Sequence, residues 1–273
     1  MPELPELELL RTTLGERAAG CTILSVALDP KRAFIIRYPP MEFARELAGK
    51  TLSGVTRRGK FLIFSFVDFD KQLVVNPMLG GRFALCSRAA PALPSTCFTL
   101  QLSKALDIRF LDSTLMARIY LTADPAVEVP AFADLGPDAL DPELTYEVFA
   151  QRLRRHRGEL KNVLRNQAFV AGIGNAYSDE ILFAAHLRPL RRAGTLSEAE
   201  RRALYEAMRT TLRDAVAVTA QQHGAGKHPL HKQERGFMKI HGRKKTACPR
   251  CGHRISVVHP GGEATYYCRA CQL

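Results

Sequence analysis

No apolar run in the 273 residues approaches the ~20 needed to cross a bilayer, and the first residues are acidic where a secretory leader would be basic. These absences predict a soluble, cytoplasmic protein. Internal repeats and low-complexity tracts are also missing, which excludes a solenoid and argues for ordinary globular domains. From Ile119 to Gln151 there are seven acidic residues and no Lys or Arg. The basic charge lies elsewhere: residues 151–273 hold 23 Lys and Arg against 9 Asp and Glu, and residues 1–150 hold 16 against 18. The net charge of +12 therefore belongs to the carboxy-terminal half, where it suggests a polyanionic partner such as nucleic acid.

Three of the seven cysteines, Cys21, Cys86 and Cys97, are scattered in apolar surroundings and read as buried small hydrophobes in a reducing compartment. The other four crowd the last 26 residues as CPRC and, sixteen residues later, CRAC. Each C-x2-C turn aims two thiolates at one point, so Cys248, Cys251, Cys268 and Cys271 form a closed tetrahedral S4 site for a structural metal. Zinc is expected, with a rubredoxin-like iron site as the alternative. Such ribbons serve protein contacts as well as DNA, and the nearby Arg250, Arg254, His259 and Arg269 favour nucleic acid.

Length alone predicts two domains plus a small module. Residues 1–122 begin with a helix, carrying Leu7, Leu10, Leu14 and Ala18 at helical spacing with Gly20 as its stop. Short period-two runs follow (CTILSVAL, KFLIFSFVDF, QLVVNPML, RFALCS, CFTLQL, ALDIRFLD and MARIYLT) and predict an antiparallel sandwich or flattened barrel. Residues 123–142 carry four prolines and read as a linker. Residues 143–222 switch to helical periodicity over about four helices, with Ser197 and Glu200 as a capping box for the last. A loop is expected at 223–245, and the cysteine hairpin at 246–273.

Three further stretches carry possible chemistry. In MPELPELELL, removal of the initiator Met makes Pro2 the terminal secondary amine beside Glu3, although Pro5 and the acids equally suit an ordinary helix start. In RRGKFLIF, Lys60 sits where a Gly-punctuated turn enters an apolar strand, as a solvated hairpin lysine also would. In AGIGNAYSDEILF, Gly172 and Gly174 precede Asn175 at a helix start, an arrangement that suits either an anion site or a plain turn.

Taken together, MPELPELE, RRGKF, LGPDAL, NQAFVAGIGNAYSDEILF and the cysteine hairpin resemble the formamidopyrimidine-DNA glycosylase and endonuclease VIII family over essentially the whole chain. The resemblance implies a multi-domain α+β fold: an N-terminal helix with a two-layer antiparallel β-sandwich, a helix-two-turn-helix domain, and a C-terminal zinc β-hairpin. It implies a monomeric, nucleoid-associated, bifunctional DNA glycosylase and AP lyase of base-excision repair, acting on oxidised bases such as 8-oxoguanine and formamidopyrimidines in damaged DNA. By the same resemblance Pro2 is the nucleophile, Glu3 the acid and base, Glu6 a supporting carboxylate, and Lys60 a phosphate contact that assists catalysis. Asn175, Arg157, Lys161, Asn76 and Arg254 are the expected DNA contacts, with Leu79 filling the gap left by the flipped base.

Departures from the family pattern concern recognition. Thr114, Leu115 and Met116 stand in DSTLMARI where arginines and a Phe are usual, so a bidentate Arg contact to the opposite base is absent. Glu263 stands where an Arg grips phosphate from the hairpin, and Asn76 replaces a phosphate-contacting His. These changes leave open a preference for oxidised pyrimidines or single-stranded lesions, or a non-catalytic DNA-binding relative.

Overall fold

The computed structural model describes residues 1–222 and 235–273. Two compact units are present, one containing Met1–Ala133 and the other Asp134–Val218 with the carboxy-terminal segment ending at Leu273.

The first unit opens with α1 (Leu4–Ala18), where Leu7, Leu10, Leu14 and Ala18 are buried at the predicted spacing. Pro5 sits in its first turn, and Gly20, at φ 73°, takes the left-handed conformation that ends the helix. Eight strands follow: β1 (Ile23–Leu28), β2 (Leu52–Arg58), β3 (Phe61–Phe66), β4 (Gln72–Asn76), β5 (Arg82–Ser87), β6 (Thr96–Leu102), β7 (Leu106–Leu111) and β8 (Arg118–Thr122). They form two antiparallel four-stranded sheets ordered β1-β6-β7-β5 and β2-β3-β4-β8. The two sheets are separate, so of the sandwich and the flattened barrel expected, the sandwich is the one formed.

Inward-facing residues of both sheets make its core. A run of rings crosses it: Phe98 stacks on Phe110 (centroids 5.3 Å apart), Phe110 meets Phe83 edge-on (5.0 Å), and Phe83 reaches Phe64 of the other sheet (5.6 Å). Sequence periodicity did not signal β2 or the helix α2 (Pro40–Leu47). In β2 a register shift between Leu52 and Gly54 breaks the alternation, so Leu52 and Val55 are its buried side chains. Helix α2 shows its apolar face through only two buried residues, Phe43 and Leu47.

Within the span read as a linker, α3 (Pro125–Glu128) is a single turn capped by Asp124, whose carboxylate accepts from the Ala126 and Val127 N–H groups. The four expected helices follow, α4 (Tyr146–Leu153), α5 (Leu160–Arg165), α6 (Asn175–Ala184) and α7 (Glu198–Gln222), the second unit holding the first three and α7 as far as Val218. The Ser197–Glu200 box forms reciprocally: the Ser197 N–H donates to Glu200 Oε2 (2.8 Å) and the Glu200 N–H to Ser197 Oγ (3.3 Å). The chain closes with an antiparallel pair, β9 (Ser256–Val258) and β10 (Thr265–Tyr267). The loop expected at 223–245 lies partly outside the described residues.

Candidate functional site

Pro2 and Glu3 immediately precede α1, and both are buried, Glu3 to 2% exposure. Glu3 is the N-cap, and its backbone N–H donates to Glu6 Oε2 at 2.9 Å. The carboxylates of Glu3 and Glu6 thus sit at the positive end of the helix, and Glu6 fixes the backbone that carries Glu3. Removal of Met1 would make the Pro2 nitrogen a secondary amine.

Lys60 is half-buried in the two-residue turn joining β2 to β3, between the paired Arg58 and Phe61. Gly59 precedes it at φ 56°, the positive φ that tight hairpins demand of a first central residue. Arg57 holds this turn to α1. Its Nε donates to Glu8 Oε2 (2.9 Å) and its Nη1 to the Gly59 carbonyl (3.0 Å), while Arg11 Nε donates to Glu8 Oε1 (2.7 Å). Burial raises the Glu8 carboxyl, but the hydrogen bonds from Arg11 and Arg57 outweigh it and hold its pKa below the usual value. Neither Glu8 nor Arg57 was singled out in the sequence, although Arg57 lies within the RRGKF motif itself.

Leu79 is 52% exposed at the tip of the β4–β5 loop. Asn76 is half-buried and spends its Oδ1 on its own loop, accepting the Met78 N–H at 3.1 Å. Against this loop packs the β7–β8 loop: a Cβ on Gly80 would lie 2.4 Å from Asp112 Oδ1 and 2.6 Å from Thr114 Oγ1, so only glycine fits there. Buried Asp112 organises that second loop by accepting from the Thr114 N–H, the Thr114 hydroxyl and the Ala117 N–H. Thr114 therefore spends its hydroxyl internally, Leu115 packs on the core, and Met116 stands 45% exposed.

In the second unit, Gln167 fixes the turn before α6: its Oε1 accepts the Gly172 N–H, and its Nε2 donates to the carbonyls of Arg165 and Ile173. Gly172 adopts φ 106°, which side-chain-bearing residues avoid. Asn175, the first residue of α6, donates from Nδ2 to the Ala264 carbonyl (3.2 Å), and its Oδ1 is buried without a partner among the described residues. Arg157 and Arg254 are exposed.

Lys161, expected at DNA, is instead 2% exposed and committed internally. Its Nζ donates to Asp179 Oδ1 (2.7 Å) and to the Ala264 carbonyl (3.2 Å). Burial pulls its pKa down from the ordinary value against the opposing pull of Asp179. The other oxygen of Asp179 meets His241 Nδ1 (2.8 Å) and the Tyr266 N–H (3.3 Å), while Glu180 accepts three consecutive backbone N–H groups, Lys239 to His241. These two carboxylates on α6 anchor the segment that leads into the hairpin. The sequence hid them inside what reads as an amphipathic stripe.

The thiols of Cys248, Cys251, Cys268 and Cys271 converge, with all four sulfurs within 4.8 Å of one another. Sulfurs about 2.3 Å from one tetrahedral ion stand roughly 3.8 Å apart. Here Cys248 and Cys271 are 3.9 Å apart, and Cys251 and Cys268 3.6 Å, which fits such an ion and is far too long for disulfides. The cluster is therefore suited to a metal ion and compatible with zinc.

Comparison with known proteins agrees with this architecture. Residues 1–119 match the formamidopyrimidine-DNA glycosylase N-terminal domain and residues 135–225 the formamidopyrimidine-DNA glycosylase H2TH domain. Both matches define the class, that of DNA-repair glycosylases. At the level of whole chains, the protein is 34% identical to the formamidopyrimidine-DNA glycosylase of Pelotomaculum thermopropionicum (100% of this chain, 99% of that one). Identity to the Geobacillus kaustophilus enzyme of the same name is 35%, covering both chains fully. The chain belongs to the formamidopyrimidine-DNA glycosylase family. Among solved structures it resembles MutM in complex with DNA containing carbocyclic 8-oxo-G (TM-score 0.86, 28% identity, 100% of both chains). It also resembles a Lactococcus lactis FPG mutant with Fapy-dG DNA (TM-score 0.88, 27% identity, 99% of both chains). No helix among the described residues is long and apolar enough to cross a membrane.

Proposed function

We propose that the protein is a monomeric bifunctional DNA glycosylase and AP lyase that removes oxidised bases from damaged DNA, carries one structural zinc ion and works at the nucleoid. The observation that carries this reading is the joining of the Pro2–Glu3 helix start to the Lys60 turn through Glu8, Arg57 and Gly59. Freed from Met1, the Pro2 amine attacks C1′ of the flipped nucleotide as the N-glycosidic bond breaks, and the base leaves with a proton. Glu3 protonates the ring oxygen, the sugar opens, and the Pro2 nitrogen becomes an iminium. This electron sink acidifies the C2′ proton; the Glu3 carboxylate, left by protonation of the ring oxygen, takes that proton as the electron pair expels the 3′ phosphate by β-elimination, and water then releases Pro2. Lys60 holds a phosphate beside the reacting sugar, while Asn175, Arg157 and Arg254 bind the backbone and Leu79 fills the vacated stack. Zinc, held by the four cysteines, would fix the hairpin and take no part in the chemistry.

A second reading concerns the substrate. Thr114, Leu115 and Met116 offer no side-chain donor for a base edge, because the Thr114 hydroxyl is committed to Asp112 and the other two are apolar. This favours the same chemistry with relaxed opposite-base selection, extending to oxidised pyrimidines or single-stranded lesions. The test is excision from oligonucleotides carrying 8-oxoguanine opposite each of the four bases, or thymine glycol, duplex and single-stranded, with strand nicking scored separately. Excision of 8-oxoguanine strictly opposite C would exclude the relaxed reading; release of no base from any substrate would exclude glycosylase action.

A further inference from the structure

Three donors from α5 and α6 converge on two adjacent residues of the β9–β10 turn. Lys161 Nζ and Asn175 Nδ2 each donate to the Ala264 carbonyl at 3.2 Å, and the Arg165 guanidinium pairs with the Glu263 carboxylate. The first two contacts belong to a buried lock: Lys161 and Asp179 have side chains 3% and 0% exposed, and Asp179 also receives the Tyr266 N–H. The third is different. Arg165 and Glu263 have side chains 29% and 50% exposed, and Glu263 is the only partner of the Arg165 side chain among the described residues. A pair so exposed holds a hairpin poorly, and this hairpin is already held.

A planar guanidinium fork accepts a carboxylate or a phosphate in the same geometry. Beside Ala264, the neighbour of Glu263, lies the amino terminus of α6, an end that favours negative charge. We propose that Arg165 is a binding residue for a backbone phosphate of DNA, and that Glu263 occupies this anion site with its own carboxylate until DNA displaces it. The proposal rests on the DNA-binding reading above and adds to it a site and its competitor. Glu263 then acts as a built-in brake on sequence-independent binding, and the anion-gripping cation comes from α5.

The signature is opposite effects from the two partners. Binding of the zinc-loaded full chain to a fluorescein-labelled undamaged duplex is followed by anisotropy between about 50 and 200 mM salt. Glu263→Gln should tighten binding about three- to tenfold, whereas Arg165→Gln should weaken it by a similar factor and lower the salt slope by about 1. The double variant should behave as Arg165→Gln alone, because Glu263 acts only through Arg165. Arg165→Lys, which keeps the charge, should restore the slope. Zinc content and melting temperature are followed in each variant. The proposal is overturned if Glu263→Gln binds no more tightly than the parent, if Arg165→Gln leaves the slope unchanged, or if both single variants weaken binding through loss of zinc. A parent protein that binds no duplex at all overturns this proposal and the DNA-binding reading together, whereas unchanged slopes overturn this proposal alone.

Discussion

Arg57 and Glu8 form a 2.9 Å ion pair between β2 and α1, and the same guanidinium holds the carbonyl of Gly59, the residue before Lys60. One side chain thereby ties the start of the protein to the turn bearing its candidate phosphate contact. Arg57→Met is expected to slow single-turnover adduct formation roughly 10- to 100-fold, the scale of a misplaced catalytic group. Because it acts through Lys60, combining it with Lys60→Met should add little further loss. Fully multiplicative losses in that double-mutant cycle would assign Arg57 another role.

The same pair predicts a pH dependence of stability. The Glu8 carboxyl is held below its ordinary value of 4.5, so its contribution is complete above that value and is lost as pH falls through the depressed folded value. Glu8→Gln should therefore cost about 1–2 kcal/mol at neutral pH, discounted for partial exposure. In urea titrations the gap from the parent should close below pH 4.5. A gap that widens on acidification would contradict the assigned sign.

Lys161→Met leaves the fully buried Asp179 short of its nearest cation. Breaking a buried pair on one side costs about 3–5 kcal/mol, whereas Lys161→Met with Asp179→Leu should be less damaging than the single change. Thermal denaturation of the two variants tests this directly. Equal stability of parent and Lys161→Met would mean that the pair contributes little to holding the hairpin segment.

Metal removal should release the hairpin. A hydrogen bond from the His253 N–H, the largest cause, brings the Cys251 thiol down to about 7, while the bond with Cys251 sends Cys271 up to about 12. The metal-free cluster thus retains protons, and zinc loading at neutral pH should expel them into a weakly buffered indicator solution. Cys268→Ser should lose the ion and, with it, the order of β9 and β10 by hydrogen exchange. Full zinc occupancy in that variant would contradict a four-thiolate site.

Much of this was legible in the residues because it depends on local patterns. Leucines at helical spacing gave α1, the Ser197–Glu200 box marked the start of α7, and two C-x2-C turns announced the thiol cluster. What stayed hidden depends on tertiary neighbours. Arg57 is one basic residue among three in RRGK until Glu8 is seen beside it. Lys161 reads as a surface cation in ELKNVLR, and only its burial against Asp179 removes it from the DNA contacts. Strand β2 escaped because a bulge broke its alternation, and no sequence signal links Glu263 to Arg165, its partner in the fold.

The proposed chemistry turns on one nitrogen atom, that of Pro2. Protein with Met1 removed is incubated with abasic-site DNA, reduced with borohydride, digested and mapped by mass spectrometry. The deoxyribose adduct is expected on the peptide beginning at Pro2, with Pro2→Gly sharply impaired and protein retaining Met1 unreactive. An adduct on Lys60 or another lysine, or none from protein with a verified free Pro2, would contradict the claim.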